Sequence, residues 1–177
     1  MVQHTVILGL GSNCHSREHY LGSGLAELRS LAGLSHFRLS SIYENPALLP
    51  PDAPVEWDQP FLNMVAVMQS SYEPLQLLSL TQKIEQKIGR VARGRWGPRE
   101  IDIDLLDCSS MICHGDQLTL PHPHMLERDF VMIPLAELQA DWIHPHDHSK
   151  QTAKDYADHF WPLTHMRRWP VQKDDIS

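Results

Sequence analysis

Cysteine is scarce in this sequence. Only Cys14, Cys108 and Cys113 occur, and no two of them form a CxxC pair. An odd set of widely spaced thiols argues against a disulfide scaffold or a cysteine zinc site, and a reducing, cytoplasmic location is expected. Long apolar runs are also missing: nothing approaches the roughly 20 residues that cross a bilayer, so no membrane association is expected. The opening Met1-Val2-Gln3-His4-Thr5 has no basic stretch followed by an apolar one, so no secretory signal is expected either. There is no GxxxxGK(S/T) loop, and Gly9-Leu10-Gly11-Ser12-Asn13 lacks the GxGxxG spacing, which argues against a P-loop or dinucleotide-binding fold. Net positive charge is lacking as well. The formal charge of −7 argues against a nucleic-acid binder acting through its whole surface.

What is present suits one globular domain: 177 residues, 42% of them apolar. We expect a single domain over 1–177, with a core at about 4–140 and a tail at 141–177. Thr5 to Leu10 reads as a short buried strand. Leu21, Leu25, Leu28 and Leu31/Ala32 then recur at helical spacing, with Ser16 as a candidate cap and Gly33 as the stop. Ser35 to Tyr43 alternates like a strand. Asn45 to Pro60 carries five prolines (Pro46, Pro50, Pro51, Pro54 and Pro60), so it is expected to be a long loop. Phe61 to Gln69 is a strand. Pro74 opens a helix whose stripe is Leu77, Leu80/Thr81, Ile84 and Ile88, and Gly89 ends it. Ile101 to Leu106 is again a strand. The order β-α-β-β-α-β predicts an α+β, ferredoxin-like fold, an antiparallel sheet with two helices on one face. A hairpin near Met111 to Leu120 and a helix over Val131 to Leu138 follow as C-terminal additions.

Charge is concentrated where the fold turns. Lys83, Lys87, Arg90, Arg93, Arg95 and Arg99 lie close together, opposed within that stretch by Glu85. Such a patch is either a solvated helix face with its trailing loop or a phosphate site. In Ile101-Asp102-Ile103-Asp104-Leu105, residues two apart on a strand face the same way, so Asp102 and Asp104 point together. Two adjacent carboxylates repel and raise each other's pKa. Either they lie on a solvated face, or a hard cation such as Mg²⁺ sits between them and a polyphosphate. The basic loop directly before them favours a magnesium–nucleotide site, since arginine binds phosphate bidentately. Phe61 and Asn63 share a strand face. Asn63 either caps a backbone group or presents its donor and acceptor to a flat heterocycle.

Several blocks together resemble one family, 6-hydroxymethyl-7,8-dihydropterin pyrophosphokinase. They are Gly11-Ser12-Asn13, Ser40-Ser41-Ile42-Tyr43, Phe61-Leu62-Asn63, Gly89-Arg90, Arg95-Trp96-Gly97-Pro98-Arg99, Ile101-Asp102-Ile103-Asp104-Leu105, Leu120-Pro121-His122-Pro123 and Arg128-Asp129-Phe130-Val131. The resemblance implies transfer of pyrophosphate from ATP to the hydroxymethyl pterin, with AMP released. It implies that Asp102 and Asp104 hold two Mg²⁺ ions and that Arg90 and Arg99 meet the transferred phosphates. Arg93, His122 and Arg128 would also contact the triphosphate, and Gln82 and Leu105 would lie near the nucleoside. Asn63 would read the pterin edge, Phe61 and Phe130 would sandwich its ring, and Asn45, Pro46 and Leu48 would line the same pocket. The chain departs from the pattern at Cys14-His15-Ser16, at a Val55-Glu56-Trp57 insertion, between Arg90 and Arg95, and after Trp142.

Two rival readings remain. His144-Pro145-His146-Asp147-His148, among 12 histidines, suggests a metal-binding or metal-sensing protein on the same fold. RNA binding by a ferredoxin-like sheet is disfavoured, because the aromatic RNP pattern is missing. The sequence leaves oligomeric state open.

Overall fold

A computed structural model describes residues 3–94, 96–109, 111–146 and 148–170. Arg95, in the basic loop, and Asp147, in the histidine run, lie outside the described residues.

Strand β1 (His4–Ser12) runs through the middle of the sheet, because its alternate residues are apolar on both faces. Val6, Leu8 and Leu10 face helices α1 (Arg17–Ser30) and α2 (Pro74–Ile88). Ile7 faces the opposite layer. β1 pairs antiparallel with β4 (Phe61–Ser70) on one side and β5 (Asp102–Cys108) on the other. The expected single strand over 35–43 is instead two, β2 (Leu34–Leu39) and β3 (Tyr43–Asn45), both antiparallel to β4. Ser40 causes the break. Its backbone N–H donates to the Val65 carbonyl at 2.9 Å, but its hydroxyl, not its carbonyl, accepts the Val65 N–H. The sheet order β5-β1-β4-β2/β3 is that of the expected core.

The helix boundaries follow local chemistry. Pro74 stands in the first turn of α2, and Gly89, at φ 102°, takes the left-handed conformation that ends it. Ser16 occupies the N-cap position of α1 without a side-chain cap hydrogen bond, and α1 ends at Ser30, before Gly33.

The second sheet face is covered too. Ile7, Val65, Val67 and Leu106 need burial, and helix α3 (Asp129–Leu138) supplies it through Val131, Met132 and Leu135. A hairpin of β6 (Cys113–His114) and β7 (Thr119–Leu120) precedes α3. Helix α4 (Ala153–Phe160), with a Thr152–Asp155 capping box, packs on α3. The unread tail then adds β8 (Arg167–Arg168) to the sheet edge beside β3.

Candidate active site

The uncovered end of the second sheet face forms a cavity of about 220 Å³. Register explains its floor. Gly11 pairs with Asn63 on one side and Asp102 on the other, and Gly9 pairs with Asp104. Both glycines keep that floor open: a Cβ at Gly11 would lie 2.5 Å from the side-chain oxygen Oδ1 of Asn63. Asn45, Leu48, Phe61, Asn63, Asp102, Asp104, Arg99, Arg128 and Phe130 all line this cavity. Residues expected to meet the pterin and residues expected to meet phosphate therefore share one space. Phe61 comes from the sheet and Phe130 from the helix that covers it.

Asn63 does not cap a backbone group; its amide nitrogen donates to the Asn45 side-chain oxygen. Asn45 in turn donates to the Pro46 carbonyl at 3.0 Å. Pro46 itself is exposed and does not line the cavity, whereas Leu48 lines its mouth while largely open to solvent.

A second cavity of about 400 Å³ lies between α2 and the basic loop, lined by Gln82, Glu85, Arg90, Arg93 and Arg99 among others. Gly97 and Arg99 line both cavities, so the two spaces meet at Arg99. Leu105 lies in neither. It is in the core between the sheet and α1/α2, 3% exposed. His122 also lines neither cavity but lies close enough to Arg128 for their charges to interact.

Each described arginine lining the two cavities is paired with a carboxylate. Arg90 meets Glu85 at 2.5 Å and Asp102 at 2.8 Å, and Arg99 meets the other Asp102 oxygen. Arg93 grips Glu100 with two nitrogens, at 2.6 and 3.1 Å. Arg128 approaches Asp104 at 3.7 Å and stands 5.6 Å from the centre of the Phe130 ring.

Asp104 is the anomalous charge. Burial, then the neighbouring Asp102 carboxylate, push its pKa up to about 6, against the pull of Arg128, Arg99 and Arg90. Its side chain is still 44% exposed, because it opens into the cavity while protein surrounds it elsewhere. Two carboxylates aimed into one cavity, one of them reluctant to ionise, form an oxygen-donor set suited to a hard divalent cation. His122 is held neutral: burial and the charge of Arg128 lower its pKa to about 4. Its Nδ1 accepts the His124 N–H at 3.2 Å, which leaves Nε2 as the hydrogen-bearing nitrogen. Among the described residues, no group of three or more His, Cys, Asp or Glu side chains is placed to hold a metal ion, so His144, His146 and His148 form no such set.

Sequence reasoning missed three residues. Asn13 links the two cavity walls: its side-chain nitrogen donates to the Gln59 carbonyl at 3.2 Å and its oxygen accepts from the Arg99 N–H at 2.8 Å. Glu85 is buried on the edge of the α2 stripe and accepts the Ile103 N–H at 2.7 Å. Glu100 receives Arg93 and the Val91 N–H. A glutamate next to a buried stripe, and a charge set between Arg99 and Ile101, were the available signals.

The family model for 7,8-dihydro-6-hydroxymethylpterin-pyrophosphokinase matches residues 7–140. The chain is similar to the 2-amino-4-hydroxy-6-hydroxymethyldihydropteridine pyrophosphokinase of Bacillus subtilis, 41% identical over 133 residues, 74% of this chain and 75% of that one. It is similar to the protein of the same name from Haemophilus influenzae, 34% identical over 156 residues, 88% of this chain and 94% of that one. In fold it resembles the solved HPPK-DHPS chain of Plasmodium falciparum, with a TM-score of 0.75 at 14% identity. That superposition covers 99% of this chain but only 51% of the longer one, so this chain spans about half its length.

Proposed function

The chain belongs to the 7,8-dihydro-6-hydroxymethylpterin-pyrophosphokinase family, and on that premise we propose which of its residues carry the transfer of pyrophosphate from ATP to 6-hydroxymethyl-7,8-dihydropterin in folate synthesis. The observation that supports the assignment best is the meeting of two cavities at Arg99, beside Asp102. A pterin in the first cavity and a nucleotide in the second would bring the hydroxymethyl oxygen and the β-phosphorus to that junction.

In the first cavity, Phe61 and Phe130 hold the ring by stacking. The Asn63–Asn45 pair offers it amide donors and acceptors. In the second, Gln82 lies at the nucleoside end, while Arg90, Arg93 and Arg99 take the phosphates. Arg128, immediately before α3, and the N–H of neutral His122, earlier in the same connection, reach the chain of phosphates. Leu105 supports the nucleoside side only from within the core. Asp102 and Asp104 are the residues that would hold Mg²⁺, as two ions. Bound there, Mg²⁺ neutralises phosphate charge and steadies the attacking and leaving oxygens.

The hydroxymethyl oxygen forms a bond to the β-phosphorus and releases its proton to solvent, the bond from that phosphorus to the oxygen shared with the α-phosphate breaks, and AMP leaves. Positioning and charge neutralisation dominate such a step. No general base is assigned. Asp102 is engaged by Arg90 and Arg99. The arginines exchange carboxylate partners for phosphate, so the free site does not leave them as bare buried charges.

The whole stretch 1–177 acts as one catalytic unit in the cytoplasm. Among the described residues no helix is long and apolar enough to cross a membrane. The test is direct: ATP, Mg²⁺ and the hydroxymethyl dihydropterin should give AMP and pterin diphosphate in equal amounts. Absence of AMP, or ADP in its place, overturns the reading.

A further inference from the structure

One guanidinium holds both ends of the proline-rich wall of the pterin cavity. Arg17, the first residue of α1, donates to the Pro60 carbonyl at 2.7 Å and to the Glu44 carboxylate at 2.7 Å. Glu44 immediately precedes Asn45, and Pro60 immediately precedes Phe61. Asn45 and Phe61 are register partners at the end of the β3–β4 ladder, and both line the cavity.

The C-terminal strand completes the clamp from beyond residue 140, where the family match ends. Arg167 Nε donates to the other Glu44 oxygen at 2.9 Å. The Trp169 ring lies 4.9 Å from the Arg17 guanidinium carbon, its indole N–H donates to Glu18 at 3.1 Å, and its backbone N–H donates to the Ile42 carbonyl at 2.9 Å.

The side chains of Arg17 and Glu44 are only 18% and 9% exposed, so the pair is shielded from solvent screening. Burial would raise the Glu44 carboxyl, but hydrogen bonds from Arg17 and Arg167 hold it below the usual carboxylate range. A sunken ion pair costs desolvation and adds little net stability. What it supplies here is geometry.

We infer that Arg17 is a positioning residue for the pterin, fixing Asn45 and Phe61 through residues 44 and 60, with Arg167 and Trp169 as its support. The inference rests on the reading of the first cavity as the pterin site. Arg17 lines neither cavity, so it acts on pterin affinity through the wall and leaves ATP affinity alone.

The test is steady-state kinetics of Arg17→Ala and Arg17→Lys, varying pterin and ATP separately. Arg17→Ala should raise the KM for pterin by about tenfold, the scale of one lost charge-assisted hydrogen bond. The KM for ATP should not change. Arg17→Lys keeps the charge but holds one loop end at a time, and should recover part of the loss. Should Arg17→Ala fail to fold, Arg167→Ala, on an exposed side chain, should give a smaller rise confined to pterin. An unchanged pterin KM, or equal rises for both substrates, would sink the inference while leaving the pyrophosphokinase reading intact. A wild-type protein that makes no AMP overturns that reading and this inference with it.

Discussion

Asn13 and Arg99 are joined by two hydrogen bonds: the Arg99 N–H donates to Asn13 Oδ1 at 2.8 Å, and the Asn13 N–H donates to the Arg99 carbonyl at 3.1 Å. The same Asn13 side chain holds the Gln59 carbonyl at 3.2 Å. The arginine at the junction of the two cavities is thus built onto the end of β1 and tied to the pterin wall. Asn13→Ala should lower kcat by roughly tenfold to a hundredfold through misplacement of Arg99. Asn13→Asp keeps the acceptor for the Arg99 N–H and should retain more activity. Equal kcat for both variants would show that the acceptor is irrelevant.

Asp104 should trade stability for catalysis. A carboxyl raised to about 6 in the folded protein binds more protons folded than unfolded between its ordinary value of 3.8 and 6. Its contribution to stability therefore falls as pH rises through that window. Asp104→Asn should abolish turnover and also raise the melting temperature of the metal-free protein at neutral pH by about 1–4 °C. Normal Mg²⁺-dependent turnover in this variant would remove Asp104 from the metal site. Asp102→Ala should also abolish turnover, but it removes an ion-pair partner from both Arg90 and Arg99 and is the less informative change.

Asn63→Ala should weaken pterin binding by roughly 1–3 kcal/mol, because it removes a buried amide and strands its Asn45 partner. ATP binding should be unaffected. Since the two amides are bonded to each other, Asn45→Ala and Asn63→Ala should be non-additive in calorimetric titrations. Additive losses would mean that they serve the ligand separately.

The basic loop, Arg90 to Arg99, should exchange its amide hydrogens quickly in the free enzyme and slowly with an ATP analogue and pterin bound. Its ends are held by Arg90 on Glu85 and Asp102 and by Arg99 on Asp102 and Asn13, and between them Arg93 and the Val91 N–H both engage the Glu100 carboxylate. The Arg93 hydrogen bond lowers the Glu100 pKa to about 2. Its stabilisation is present above the ordinary 4.5 and is lost only as pH falls toward 2. Acidity near neutrality will not open this contact; a competing phosphate will. Glu100→Gln should speed exchange over residues 91–97 in the free enzyme. Equal protection with and without ligands would make the loop a fixed wall.

His122 should make the protein acid-sensitive. Its imidazole is held near 4 when folded, against 6.5 for the free side chain, so the unfolded chain binds the extra proton between those values. Stability should fall as pH drops from about 6.5 to 4. Denaturant melts of His122→Gln should show a flatter profile than wild type across that range. Identical profiles would mean that His122 is not buried as a neutral group.

The alternating elements, the Asp102/Asp104 pair and the basic loop are legible in the chain's residue pattern alone. These are local: strand alternation aims two carboxylates one way whatever surrounds them, and Gly89 ends a helix by its own backbone freedom. Gly11, Asn63 and Asp102 are far apart in sequence, and only strand register sets them side by side. The break between β2 and β3 depended on Ser40 meeting Val65, and the cover over the second face depended on α3 finding Ile7, Val65 and Leu106. The clamp of Arg17 on Glu44 and Pro60, closed by Arg167 and Trp169, joins four segments. No periodicity records it, because a hydrogen bond between distant residues depends on how the chain packs, and packing is decided by the whole core at once.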